Sequence, residues 1–167
     1  MSKVNIGKCT ICKKNSVNGT PAEGEWVELP TPKEGTTSLN ASEGTDVEAV
    51  VEGGEVIDSI ASSTTYTLEW EEYDVKGQVP SFEDNDGVVS GEYAIQVLPS
   101  RDESCPGFQI DRCTVKASTS YTTADGQRTK YTAKALKPAT GNTVKKLNLV
   151  SDSGNSDSGN TESSSEE

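Results

Sequence analysis

Apolar and polar residues alternate with a period of two in several separate stretches of this chain. That alternation is the signature of strands with one buried face. Tyr66, Leu68 and Trp70 interleave with Thr67, Glu69 and Glu71. Tyr93, Ile95 and Val97 interleave with Ala94 and Gln96, and Pro99 stops the run. Tyr131, Ala133 and Ala135 interleave with Lys130, Thr132 and Lys134. Phe108, Ile110 and Arg112 begin a further run, but Val115 and Ala117 continue it in the opposite phase. A bulge near Cys113 would make that shift.

Turn signals separate these runs. Asp125-Gly126 supplies the positive φ values of a hairpin turn, Asn85-Asp86-Gly87 does the same before Val88, and Gly53-Gly54 lies between two valine-rich segments. No helix of ordinary length is expected, at most one helical turn over residues 46–51. Residues 30–46 are rich in Pro, Gly, Thr and Ser and read as a long loop. About eight short strands within residues 1–150 predict an all-β domain, a β-sandwich or partly closed barrel. Val144 to Val150 are placed to close its sheet. Residues 151–167 repeat Ser-Asp-Ser-Gly-Asn and hold no apolar side chain. That tail is expected to be disordered, since nothing in it offsets the entropy of ordering.

The core is expected to be thin. The 167 residues are 31% hydrophobic and 5% aromatic, which suits a chain that completes its burial by association. Net charge is −12. Five of the carboxylates lie after Val150 without a cation, leaving −7 for residues 1–150. Such a balance is a poor footprint for gripping DNA, which needs clustered Lys and Arg, and Lys13-Lys14 and Lys145-Lys146 are too short to form one. An acidic surface fits solubility, or a conduit past which DNA slides without sticking. No apolar run reaches the roughly 18–20 residues of a membrane span. Met1 to Gly7 hold no apolar core of a secretory signal, so none is expected.

Few residues could carry chemistry. The chain has no histidine, which removes the commonest general base, its nucleophile pairs and a common metal ligand. Cys9-Thr10-Ile11-Cys12 has the spacing of half a zinc site, and Cys105 with Cys113 would complete four thiolates. Seven residues separate the second pair, and a strand through residues 8–13 would point Cys9 and Cys12 to opposite faces. Unpaired structural thiols are the leading reading. A zinc site and a Cys105–Cys113 disulfide across Pro106-Gly107 stay open. Asp84-Asn85-Asp86-Gly87 is a turn rather than a calcium loop, because Phe82 and Tyr93 would occupy coordinating positions. Glu71-Glu72 reads as a solvated face rather than a pair of glycosidase acids. No catalytic residue, cofactor or metal is expected.

One combination of strings resembles a known family. An opening strand Val4-Asn5-Ile6-Gly7-Lys8-Cys9 is followed by Gly24-Glu25-Trp26-Val27-Glu28-Leu29 and the loop Glu34-Gly35-Thr36-Thr37-Ser38-Leu39. Then come Thr45-Asp46-Val47-Glu48-Ala49, Glu52-Gly53-Gly54-Glu55-Val56-Ile57-Asp58 and Thr65-Tyr66-Thr67-Leu68-Glu69-Trp70. Cys105-Pro106-Gly107-Phe108-Gln109-Ile110-Asp111-Arg112 precedes a hairpin at residues 121–136 and Leu136-Lys137-Pro138-Ala139. In this order the strings resemble phage major tail tube proteins, especially those of phages and prophages of the Bacteroides group. The resemblance covers residues 4–150 and not the tail. It implies a non-enzymatic subunit of the virion tail, assembled in the host bacterial cytoplasm. Such subunits form hexameric rings that stack into a tube around a tape-measure protein, and DNA later passes through. It also implies an arm reaching the next ring, with residues 30–60 as the segment. A β-sandwich adhesion or carbohydrate-binding module is the alternative.

Overall fold

The computed structural model describes residues 4, 6–99 and 105–147. In chain order the strands are β1 (Cys9–Val17), β2 (Thr20–Pro21), β3 (Val27–Glu28), β4 (Ser38–Ser42), β5 (Val47–Val50), β6 (Val56–Ile60) and β7 (Thr65–Tyr73). They continue with β8 (Asp84–Asn85), β9 (Val88–Val89), β10 (Tyr93–Pro99), β11 (Gly107–Thr122), β12 (Gly126–Ala135) and β13 (Lys145–Leu147). Among the described residues there is no helix, so the all-β expectation holds. All pairings are antiparallel.

One sheet runs in the order β2-β1-β10-β11-β12-β7-β4, and among the described residues β5 and β6 pair only with each other. The 16-residue β11 is its spine. Cys113 pairs with Tyr93 of β10 on one edge and with Ala135 of β12 on the other. The expected bulge lies here. Tyr93 and Ile95, two positions apart, face Cys113 and Ile110, three apart, so β11 carries one extra residue. The apolar face thereby passes from Ile110 to Cys113 and Val115.

The sheet curls into a half-barrel, because strands far apart in its order supply one core. Ile11 of β1, Ile95 and Val97 of β10, Leu68 and Trp70 of β7, and Tyr131 and Ala133 of β12 pack in a single buried cluster. Phe82, from the segment after β7, enters the same cluster. Its ring lies 4.9 Å edge-on from Tyr93 and 5.4 Å from Tyr131, and Trp70 lies 5.5 Å from Tyr131. Burying each such side chain stabilises by about 2–3 kcal/mol, and ring pairs at this spacing add about 1 kcal/mol.

Eight of the thirteen strands among the described residues hold four or more residues, in line with the expected count of about eight, and the five pieces of two or three residues leave no alternation to read. Several expectations change. The supposed loop of residues 30–46 contains β4, which is a strand because β7 pairs with it from Leu39↔Leu68 to Ser42↔Thr65. Residues 46–51 form no helical turn: Val47–Val50 is β5. The opening strand starts at Cys9 rather than Val4, since Gly7 takes φ +95, outside strand geometry. Lys145–Leu147 pairs with β11, as the sheet-closing reading expects, while residues 148–150 and the tail 151–167 lie outside the described residues.

Candidate assembly surface

Geometry disposes of most of the sites suggested by motif. β1 includes both Cys9 and Cys12, so the two alternate in direction along an extended backbone. All four cysteines are free thiols, which removes the Cys105–Cys113 disulfide. Among the described residues no three Cys, Asp or Glu side chains cluster as metal ligands, so Cys9, Cys12, Cys105 and Cys113 do not form a zinc site. Burial pushes the Cys113 thiol up to about 12 and raises that of Cys12, which disfavours the thiolate that metals and electrophiles require.

Glu71 and Glu72 are consecutive on β7 and point to opposite faces. Glu71 lies 3.3 Å from the Arg128 guanidinium on the outer side. Glu72 is 6% exposed and accepts hydrogen bonds from Trp70 Nε1 (2.9 Å) and Ser81 Oγ (2.6 Å). Burial raises its pKa, and the two hydrogen bonds and Lys13 only partly offset that. The two carboxylates cannot flank one bond, and they are not a solvated face either: Glu72 belongs to the core. Asp84 closes the β8–β9 turn by accepting the Gly87 N–H at 2.8 Å, which is a turn role. Lys13 lies over Phe82, Lys14 over Trp26, and Lys145 pairs with Asp111.

What the core leaves out is the more informative feature. The β5–β6 hairpin is exposed at every residue from 47 to 60. Val47 (64%), Ile57 (64%) and Ile60 (65%) stand in solvent, with Val50, Val51 and Val56 beside them. The apolar residues occupy both faces. Val47 lies opposite Ile60, and three residues along β5, on the other face, Val50 lies opposite Val56. A bulge at Ile57 separates the two sets, since Ala49 pairs with Asp58 and Val50 with Val56. The turn is Gly53-Gly54 at φ +107 and +87, as the double glycine predicts. At the base, Gly44 packs so closely on Ser62 and Ser63 that a Cβ would lie 2.5 Å from Ser62 Cβ and 2.7 Å from Ser63 O.

An isolated two-stranded ribbon is marginal in water, and six exposed aliphatic side chains on one make a patch that calls for cover. The charge is one-sided as well. Glu43, Asp46, Glu48, Glu52, Glu55 and Asp58 fall on or beside the hairpin, and residues 34–75 contain no Lys or Arg. A second unfinished feature is β4, which ends the sheet and pairs with β7 alone. Its outer edge presents backbone N–H and C=O groups without a strand partner among the described residues. The sequence reading placed an arm in residues 30–60 but did not single out its apolar residues. The signal was present, because Val47 to Val51 and Val56 to Ile60 are apolar beyond what one buried face needs.

No family model matches this chain, and a search of curated proteins found no match.

Proposed function

We propose that this chain is a non-enzymatic structural subunit that assembles with copies of itself, as a ring-forming component of a phage-type tail tube. The carrying observation is the β5–β6 hairpin, whose exposed aliphatic residues on both faces are covered by nothing among the described residues. The open β4 edge is a second place where a neighbour's strand would add. Contacts between different surfaces of identical subunits close into rings or grow into filaments, and a tube of stacked rings needs both. The tail-tube part of the reading rests on the resemblance of residues 4–150, which also supplies the tape-measure protein as a partner and the DNA that passes without specific binding. The net charge of −12 suits such a passage.

The alternative, a carbohydrate-binding or adhesion module, draws less support. Its platform would need a cluster of exposed aromatics, whereas Trp70, Phe82 and Tyr131 are buried in the core and the exposed rings are Tyr73 and Tyr121.

Negative-stain microscopy and sedimentation across a concentration series test the proposal. Rings or tubes are expected to appear as concentration rises. The triple variant Val47→Ser, Ile57→Ser, Ile60→Ser is expected to abolish them while changing unfolding free energy by only about 0.5 kcal/mol, because these side chains contact no core. A chain that stays monomeric at the highest attainable concentration would refute it.

A further inference from the structure

The segment that follows β7 is a strap with both ends tied and a free middle. At one end Asp74 is held to β12: its N–H donates to Gln127 O at 3.1 Å, and its carboxylate accepts from Thr129 Oγ1 and Gln127 Nε2, both at 2.9 Å. At the other end Phe82 inserts into the core, and its backbone hydrogen-bonds the Tyr131 hydroxyl. Residues 75–80 between these ends are all exposed. Among the described residues their one hydrogen bond closes their own turn, Gln78 N–H to Val75 O at 3.1 Å, with Gly77 at φ +86. Val75 (60%) and Val79 (77%) stand in solvent and add little packing. The strap borders a cavity of about 310 Å3, whose walls include Val79 and Pro80 of the strap, Thr129 and Tyr131 of β12, and Glu72 of β7.

Glu72 connects the strap to that cavity. Ser81, where the strap turns inward, donates its Oγ–H to Glu72 Oε2 at 2.6 Å, and Lys13 Nζ donates to Ser81 O. We propose that residues 75–81 are a pH-gated strap, shut over the cavity while Glu72 holds a proton and lifted from it when Glu72 is ionised. Lifting breaks the Ser81–Glu72 bond and lets water reach the carboxylate, while Phe82 and Asp74 stay in place as the fixed ends. The groups facing Glu72 are Lys13 from β1, Asp74 past the end of β7 and Tyr131 from β12. Glu83 acts on Lys13, and Asp84 on Tyr131. Burial opposes the charge on Glu72 most, Asp74 adds to that, and Lys13 offsets only part. The carboxyl therefore holds its proton more tightly with the strap shut than with it open. Closure is strongest below the ordinary carboxylate range and is lost as pH rises through the elevated value. The strap needs only one copy of the chain, so its test is independent of assembly.

The Trp70 indole N–H donates to Glu72 Oε1 at 2.9 Å and so reports the opening directly. In the dilute, 15N-labelled full chain its hydrogen exchange is followed by NMR from about pH 5 to about pH 8, relative to a free indole at each pH. Its protection is expected to fall by about tenfold across that range. At each pH it is expected to stay at least about tenfold below that of amides central to β12, because lifting a strap is a smaller event than opening the core. Glu72→Gln is expected to hold the Trp70 protection constant, and Ser81→Ala to lower it already at the acid end. Protection independent of pH in the unaltered chain, or falling equally in Glu72→Gln, overturns the proposal. Protection equal to that of the β12 amides overturns it too, since Trp70 would then exchange only when the whole domain opens. Far-UV circular dichroism checks the fold of each variant. If Glu72→Gln does not fold, the pH series on the unaltered chain and Ser81→Ala decide, and an unchanged Trp70 in Ser81→Ala overturns the strap.

Discussion

Glu72 shows how parity in a strand outranks residue type. Leu68, Trp70 and Glu72 are two apart on β7 and share its inner face, so the carboxylate follows the apolar residues into the core. The parity was legible in the sequence, but the instinct that adjacent glutamates face solvent hides it. Not legible was the partner that makes burial tolerable: Ser81 lies in an irregular segment and reaches Glu72 only because Phe82 anchors that segment among Trp70, Tyr93 and Tyr131. The groups facing Glu72 are Lys13 from β1, Asp74 just past β7 and Tyr131 from β12. Since the folded pKa of Glu72 is raised above the ordinary carboxylate range, the folded state holds its proton more tightly. The associated stability is complete below that range and is lost as pH rises through the elevated value. Glu72→Gln keeps an oxygen for Trp70 Nε1–H and removes the titration. Its Tm is expected to exceed that of the unaltered chain by about 3 °C near neutral pH, with the gap closing toward about pH 4. Thermal unfolding followed by circular dichroism across that range reads both parts of the prediction.

The elements divide by what determines them. β7, β10 and β12 carry their own alternation, and the β11 phase change correctly located the bulge before Cys113. β4 offers only Leu39 and Ala41 as an apolar pattern, and becomes a strand because β7 lies beside it, which no local signal encodes. β5 also fitted one helical turn, because Val47, Val50 and Val51 have a spacing of three and four, but Gly53-Gly54 marked it as one leg of a hairpin. The four cysteines are free thiols, and β1 places Cys9 and Cys12 in extended backbone. The hairpin is held to the body at its neck, where Gly44 lies against Ser62 and Ser63 with no room for a methyl group. Gly44→Ala sets a carbon within 2.7 Å of the Ser63 carbonyl oxygen, so the two legs must part. The expected outcome is local. Limited proteolysis within residues 45–61 should speed up by about threefold or more, while Tm moves by under about 2 °C, because the core cluster contains none of these residues.

At the scale of the molecule, a curled sheet with a compact core coexists with a ribbon that contributes nothing to that core. The large side chains that stabilise the domain sit on β1, β7, β9, β10, β11 and β12, with Leu29 and the Phe82 segment. Those of the hairpin gain nothing until something covers them. The two parts should therefore differ sharply in local stability. In dilute monomer the hairpin ladder, paired from Val47↔Ile60 to Val50↔Val56, has no third strand and no packed face among the described residues. Its amides open without unfolding the subunit and are expected to exchange within about an order of magnitude of unstructured rates. The β11 and β12 amides, bonded from Cys113↔Ala135 to Thr122↔Gly126, exchange slowly through openings that disrupt the core. Under the proposed self-assembly through the hairpin, its protection should rise by about a hundredfold in assembled material, while amides central to β12 change little. Hydrogen–deuterium exchange by mass spectrometry, comparing dilute and assembled samples, separates the two populations. Equal hairpin protection in both states would mean that its aliphatic residues face solvent in the assembly as well, and that the ribbon is not what joins the copies.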